Sequence, residues 1–279
     1  MRISHFATAP RVGGSPHRPG GIRFVNLLEG TPFARDNYLL TIVDIEDEFF
    51  TPRHRHNFEQ VRIMLNGSMS FGADQVQQAG SVGYFCEGTY YTQKGVGASR
   101  TLLLQVGGPS GSGYMNRAQM DAGIANLQNK GHFEQGVFSW IDEAGQKQNR
   151  DGYEAAWEQV FGRPISYEPP RYDAPLIMWP DRFAYVPDLG EDGVASKPLG
   201  RFNERGLDIA QLRLAADARY VAADAGQHRL FFVIDGNGDA NGQSFERYAA
   251  IEVPRDAAVT LTAASELELY VIGLPRFET

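Results

Sequence analysis

Two histidines two residues apart supply the sharpest chemical signal in the sequence. They lie in Pro52-Arg53-His54-Arg55-His56-Asn57-Phe58-Glu59-Gln60. A strand-forming context sends alternate side chains to opposite faces, so the imidazoles of His54 and His56 leave one face together. Gln60 falls on the same parity four residues later, and Arg62 and Met64 follow it. Val61, Ile63 and Leu65 on the other parity are apolar and require burial, against a sister layer or a second copy of the chain. Two imidazoles and an amide oxygen on one face suit a borderline divalent ion such as Fe(II), Mn(II), Ni(II) or Zn(II). The same pair also reads as a solvated polar patch at a strand start, flanked by Arg53 and Arg55. Arg62 likewise has two readings: an anchor for a substrate carboxylate, or half of a buried structural salt bridge.

The composition narrows what else the chain can be. It has 279 residues with a formal charge of -8, from 26 Lys+Arg against 34 Asp+Glu. That balance argues against a phosphate-tracking surface and hence against nucleic acid as partner. No apolar run approaches the ~18 residues that span a bilayer, so no membrane partner is expected. The first residues, Met1-Arg2-Ile3-Ser4-His5-Phe6, lack a signal-peptide pattern, and the expected location is cytoplasmic. One cysteine, Cys86, rules out an internal disulfide or a thiolate-rich metal site, leaving imidazole and oxygen as metal donors. Neither a phosphate-binding loop nor a dinucleotide fingerprint occurs.

Two elements of the pattern must position these groups. Short β-branched and aromatic runs predict strands at Ile22–Leu28, Tyr38–Ile45, Gln60–Leu65, Ser81–Phe85 and Arg100–Val106. The texture then changes. Asn116–Asn129 reads as a helix with Met120, Ile124 and Leu127 on one face, and Tyr153–Phe161 as a second, ended by Gly162-Arg163-Pro164. Strands return at Ile209–Leu214, Leu230–Ile234, Tyr248–Val253, Val259–Ala263 and Leu267–Ile272. Met64-Leu65-Asn66-Gly67 and Val233-Ile234-Asp235-Gly236 both close an apolar strand with a polar-Gly turn. The next marker follows after 19 positions in the first case (Cys86) and 18 in the second (Pro254), which points to an internal repeat. The expected organisation is an extended arm over 1–21, a first barrel over 22–115, a helical and irregular connector over 116–196, and a second barrel over 197–279.

The segment His54-x-His56-x3-Gln60-x6-Gly67 resembles the first signature of the cupin superfamily, His-x-His-x3-4-Glu-x6-Gly, with Gln at the Glu position. Cys86-Glu87-Gly88-Thr89-Tyr90-Tyr91 stands where the second signature, Pro-x-Gly-x-x-His, would fall, keeping only its glycine. The resemblance implies a mainly β fold, a bicupin of two double-stranded β-helix (jelly-roll) barrels. It also implies one mononuclear metal, Fe(II) or Mn(II) first and Ni(II) or Zn(II) next, held by His54, His56 and Gln60. Tyr91 falls on the fourth-ligand position, where it would ligate the metal, act as an acid/base group or wall the pocket. Gln93 and Met64 are the expected substrate contacts, and Tyr91 and Arg62 the catalytic candidates. In the second module, the positions matching His54, His56 and Gln60 are Ala223, Ala225 and Arg229, and Val259 matches Tyr91. That barrel is expected to have no ligand set, with His228 a surface or packing residue. The expected activity is dioxygenation of a small oxygenated or aromatic compound. A cupin-type isomerase or lyase and a non-catalytic ligand-binding bicupin stand as rivals, and a homodimer is a candidate assembly.

Overall fold

Tyr38–Ile45 shows in one strand why the sequence folds as it does. Its residues Tyr-Leu-Leu-Thr-Ile-Val-Asp-Ile are buried along both faces apart from Asp44. Leu40 and Ile42 point into a core shared with the second half of the chain, and Leu39, Val43 and Ile45 point into the first half's interior. A strand covered on both sides reads as a nearly continuous apolar run, whereas one-sided cover gives alternation. The computed structural model describes residues 1–13, 21–46, 49–223 and 226–277; His17 of the arm and Ala225 of the second module lie outside them.

Each half forms a seven-stranded sheet faced by a four-stranded one, all antiparallel, as expected for two jelly rolls. In the first half the large sheet runs Leu176–Met178, Val82–Phe85, Phe58–Asn66, Ser99–Gly107, Tyr38–Ile45, Ile22–Glu29, Arg11–Gly13. The small sheet runs Phe50–His54, Tyr91–Gly95, Ser68–Gly72, Gln75–Gln78. In the second half the large sheet is Arg2–Ser4, Ala250–Val253, Arg229–Asp235, Leu267–Gly273, Asp208–Leu214, Val194–Arg201, Val186–Pro187. Its small sheet is Arg219–Ala222, Val259–Ala263, Gly238–Ala240, Gln243–Phe245. The two orders are equivalent strand by strand. Gly67 and Gly236, the turn residues that suggested the repeat, occupy the same kind of turn. Both have positive φ, and a Cβ would meet the carbonyl oxygen of Ala98 at 2.3 Å in one and of Glu266 at 2.2 Å in the other.

The outer faces of the two large sheets pack on each other. Val61, Ile63, Leu102 and Leu104 share one core with Ile209, Leu230, Phe232 and Ile272, so the apolar parity of Val61, Ile63 and Leu65 is covered by the sister barrel. Strand exchange ties the halves further. Arg2–Ser4 extends the second barrel's sheet through Ala250–Val253, and Leu176–Met178 extends the first barrel's through Val82–Phe85. Each added strand covers an edge that would otherwise be unpaired.

The connector contains more than helix. Arg117–Gln128 starts on a capping box in which Asn116 accepts from Gln119 N and the Gln119 side chain accepts from Asn116 N. Gly152–Phe161 starts on Asp151 and stops on Gly162 in the left-handed conformation. Between them lies a three-stranded meander, Gly131–Glu134, Val137–Ile141 and Lys147–Asp151, which the sequence reading passed over because its strands are short and largely polar. His132 sits in it. No helix is long and apolar enough to cross a membrane among the described residues.

Candidate functional site

The two barrels differ inside. The second is filled by apolar side chains, among them Phe231, Val233, Ile251, Val253, Leu261 and Leu269, all fully buried. The first encloses a cavity of about 190 Å³. Phe24, Val43, Ile45, Phe49 and Leu103 form apolar walls, and His54, His56, Gln60, Arg62, Tyr91 and Gln93 form a polar pole. The connector closes the cavity. Tyr114, Met115, Met120 and Tyr153 line it, and Trp157 and Ala156 pack behind them against Phe58 and Leu39.

The elements deliver the polar groups as follows. His54 ends the strand Phe50–His54 and lies opposite Tyr91 in the register, with their rings 4.5 Å apart. His56 is not in a strand, contrary to expectation: the chain leaves the small sheet after His54 to reach Phe58–Asn66 in the large one. The imidazoles still converge, 4.9 Å between centroids, because His56 stacks on Phe58 and meets the edge of Tyr153. Gly88, the surviving glycine of the second signature, fixes this turn by donating its N–H to His56 O at 2.8 Å. Tyr153 holds the neighbouring residue by donating to Asn57 Oδ1 at 2.9 Å.

Gln60 and Arg62 face inward from Phe58–Asn66, as their parity requires. Met64 does not reach the cavity: it is fully buried among Val43, Ile45, Phe49 and Met69, with Thr101 Oγ1 3.0 Å from its sulfur. The expected substrate contact at Met64 is therefore a packing residue. Gln93 lines the cavity and donates to Met69 Sδ at 3.0 Å, although a bulge separates it from Tyr91.

The expected metal set is not assembled in this arrangement. Gln60 Oε1 accepts from Arg62 Nε at 3.1 Å, Arg62 Nη2 at 2.6 Å and the Tyr91 hydroxyl at 3.2 Å. A carbonyl oxygen has two lone pairs, so three donors leave it no capacity to ligate. A guanidinium beside the third ligand position also opposes a divalent ion there. Among the described residues no group of three or more His, Cys, Asp or Glu is placed to hold a metal. Among the described residues the imidazole pair is what remains suited to a metal. His54 Nδ1 lies 2.7 Å from Pro52 O, which makes it the protonated nitrogen and leaves Nε2 as the basic one in the neutral ring. A catalytic divalent site uses three protein ligands, so His54, His56 and Gln60 as placed do not complete one.

Among the described residues Arg62 forms no salt bridge. Burial lowers the guanidinium's pKa and the neighbouring Tyr91 opposes that shift. The group is sandwiched between rings, 4.1 Å from the Phe85 centroid and 4.6 Å from Tyr91.

A second cavity, of about 170 Å³, shares His54, His56 and Tyr153 with the first and is otherwise lined by Arg53, Arg55, Tyr90, Asp151, Glu154 and Tyr167. Arg55 stacks on Tyr167 at 3.9 Å and Arg53 on Tyr90 at 3.9 Å, so the arginines flanking the histidines form this outer wall. In the second barrel, Arg229 donates to Ala222 O and Ala223 O, and His228 Nε2 lies 2.8 Å from Glu252 Oε1 at the junction of the barrels. Sequence reasoning missed Tyr114 and Met115, at the end of the first module, and Tyr153 of the connector. For Tyr153 the signal was the apolar face of the second helix, which does not say what it covers.

No family model matches the sequence, and no curated protein matches it. Solved structures do. A candidate dioxygenase of Nostoc punctiforme is 9% identical with a TM-score of 0.64, over 98% of this chain and 81% of that one. The pirin YhhW of Escherichia coli, in complex with nickel(II), is 12% identical with a TM-score of 0.57, over 99% of both chains. Bacillus subtilis oxalate decarboxylase, described with Mn(II) centres, is 11% identical with a TM-score of 0.58, over 99% of this chain and 78% of that one. At such identities the likeness is one of fold, and the resemblance to cupins holds at that level: the chain is a mainly β protein of two jelly-roll barrels.

Proposed function

We propose that the first barrel is the reaction chamber of a small-molecule enzyme of the isomerase or lyase type, acting on an oxygenated organic compound by proton transfer next to a carbonyl. One observation carries this reading: the first barrel holds a cavity in which His54, His56, Arg62 and Tyr91 stand together beside apolar walls, whereas the matching strands of the second are packed with apolar side chains. Apolar walls strip water from a bound molecule and strengthen every polar contact at that pole. His54, with its Nδ1 proton directed to Pro52 O, carries Nε2 as the basic nitrogen of its neutral ring and is the base of this reading. Arg62 supplies fixed positive charge for an oxygen that becomes negative as the proton leaves. Tyr91, whose hydroxyl donates to Gln60, stands beside both as a wall of the same polar group.

A metal-dependent dioxygenase is the second reading, favoured by the orientation of His54 and by the metals named for two of the structural neighbours. Fe(II) or Mn(II) would there sit on His54 and His56 and supply the chemistry of dioxygen. The experiment combines two measurements on protein purified without added metal. One is elemental analysis; the other is exchange of α-protons in D₂O, followed by NMR across a panel of enolisable acids and ketones. Exchange that is lost in His54→Ala, with little metal present, is the expected result. Near-stoichiometric iron or manganese that disappears in His54→Ala/His56→Ala overturns it in favour of the dioxygenase. Binding without exchange or metal overturns catalysis altogether.

A further inference from the structure

The cavity holds one group that its protein surroundings do not complete. Arg62 is 3% exposed, and among the described residues its Nη1 has no hydrogen-bond partner, while Nε and Nη2 both go to Gln60. Aromatic rings cover the guanidinium on either side. These neighbours are neutral, and no carboxylate among the described residues forms an ion pair with it. A buried cation is ordinarily paired, and Arg62 is one of the residues that line the cavity.

We infer that the cavity takes a monocarboxylate with an apolar body, the carboxylate received by Arg62. This rests on the reading of the first barrel as a small-molecule chamber and names the class of molecule. The guanidinium's planar fork matches a carboxylate: Nη1 has no partner among the described residues, and Nη2 has a second N–H beside the one spent on Gln60. Gln60 and the two rings hold that fork in place, so little freedom is lost on binding. Size agrees as well. An apolar cavity of roughly 150 Å³ accepts benzene, so about 190 Å³ takes an aromatic ring or short branched chain carrying one carboxylate.

Benzoate, benzamide and benzyl alcohol serve as probes, similar in size and differing in charge, with binding measured by calorimetry at pH 7.5. The wild-type protein is expected to bind benzoate at least tenfold more tightly than benzamide. Arg62→Met, which keeps a stem of similar length without the charge, is expected to lose that preference while binding benzamide within about twofold of wild type. Equal affinity of the wild-type protein for benzoate and benzamide overturns the carboxylate assignment and leaves the chamber intact. So does a preference that survives in Arg62→Met. Failure of all three probes to bind overturns the chamber itself. The wild-type comparison needs no variant, so the test stands even where Arg62→Met does not fold. Arg62→Lys then adds a second reading, with at least a fivefold loss expected because the ammonium lacks the planar fork.

Discussion

Glu59 offers a direct test of how the barrels are joined. It sits on the strand that carries Gln60 but on the opposite parity, so its carboxylate enters the junction between barrels and is fully buried. There it accepts from the Tyr84 hydroxyl at 2.7 Å, Asn203 Nδ2 at 2.6 Å and Arg171 Nη1 at 3.3 Å. Burial outweighs these contacts and pushes its pKa up to about 7. An unfolded chain would hold the group near 4.5. The native state therefore binds the extra proton. The contribution to stability is fully present below about pH 4.5 and is lost as the pH rises through 7. The difference amounts to roughly 3 kcal/mol, at about 1.4 kcal/mol per pH unit. For a chain of this length that is a Tm change of about 5 °C. Glu59→Gln removes the titration and leaves most of the contacts: its carbonyl serves Asn203 and its amide donates to the Tyr84 oxygen. Asn203 cannot adapt instead, because its Oδ1 already accepts from Arg205 N and Leu207 N. Differential scanning calorimetry of both proteins from pH 5 to pH 8.5 decides the matter. The wild-type Tm is expected to fall by about 5 °C more than that of Glu59→Gln. Parallel curves would refute the reasoning.

Three further outcomes follow from the same geometry. Glu252 has the opposite sign: burial alone would raise its pKa, but hydrogen bonds from His228, Arg2 and Tyr38 hold it down to about 2. Its contribution is thus present above about pH 4.5 and lost toward pH 2; Glu252→Gln is expected to cost ~2 kcal/mol at pH 7, after screening through the exposed Arg2, and to flatten the acid limb of urea-unfolding stability. Gly88→Ala puts a Cβ 2.1 Å from Glu168 O at a φ of +79°, and should cost at least ~2 kcal/mol in thermal melts and loosen the turn that carries His56. Tyr153→Phe leaves Asn57 Oδ1 without its donor and should cost ~1 kcal/mol in the same melts, with the helix Gly152–Phe161 retained by circular dichroism.

The strands were legible where burial on one or both faces writes a pattern. Tyr38–Ile45 and Val259–Ala263 lie where their apolar runs place them. Strands of the small sheets, such as Ser68–Gly72 and Gln75–Gln78, were not legible, because they are short and partly exposed. Parity correctly sent Gln60 and Arg62 inward and Val61 and Ile63 outward. It placed Met64 inward too, but periodicity does not tell a cavity wall from the packing beneath it. It was also silent on pairing. That Arg62 spends two donors on Gln60 depends on rotamers and on Tyr91, which arrives from another sheet.

The asymmetry of the barrels follows from what each interior must do. The apolar interior of the second barrel gains stability from packing, and its large sheet presents Leu230, Phe232 and Ile272 as a firm base for the first. A hollow that holds a buried, incompletely paired guanidinium lowers stability, so it persists only where other contacts over-determine the fold. The strand exchange, the shared core and the helices over the cavity supply those contacts, and most of them bear on the first barrel from outside. Of two barrels with equivalent strand order, the second thus serves as a base for the first. The first holds, beside His54 and His56, an amide at position 60 that accepts from a cation. An amide rather than an acid there has a consequence for the chemistry. A glutamate at position 60 would pair with Arg62 and neutralise it, whereas Gln60 orients the guanidinium and leaves its charge for whatever enters the cavity.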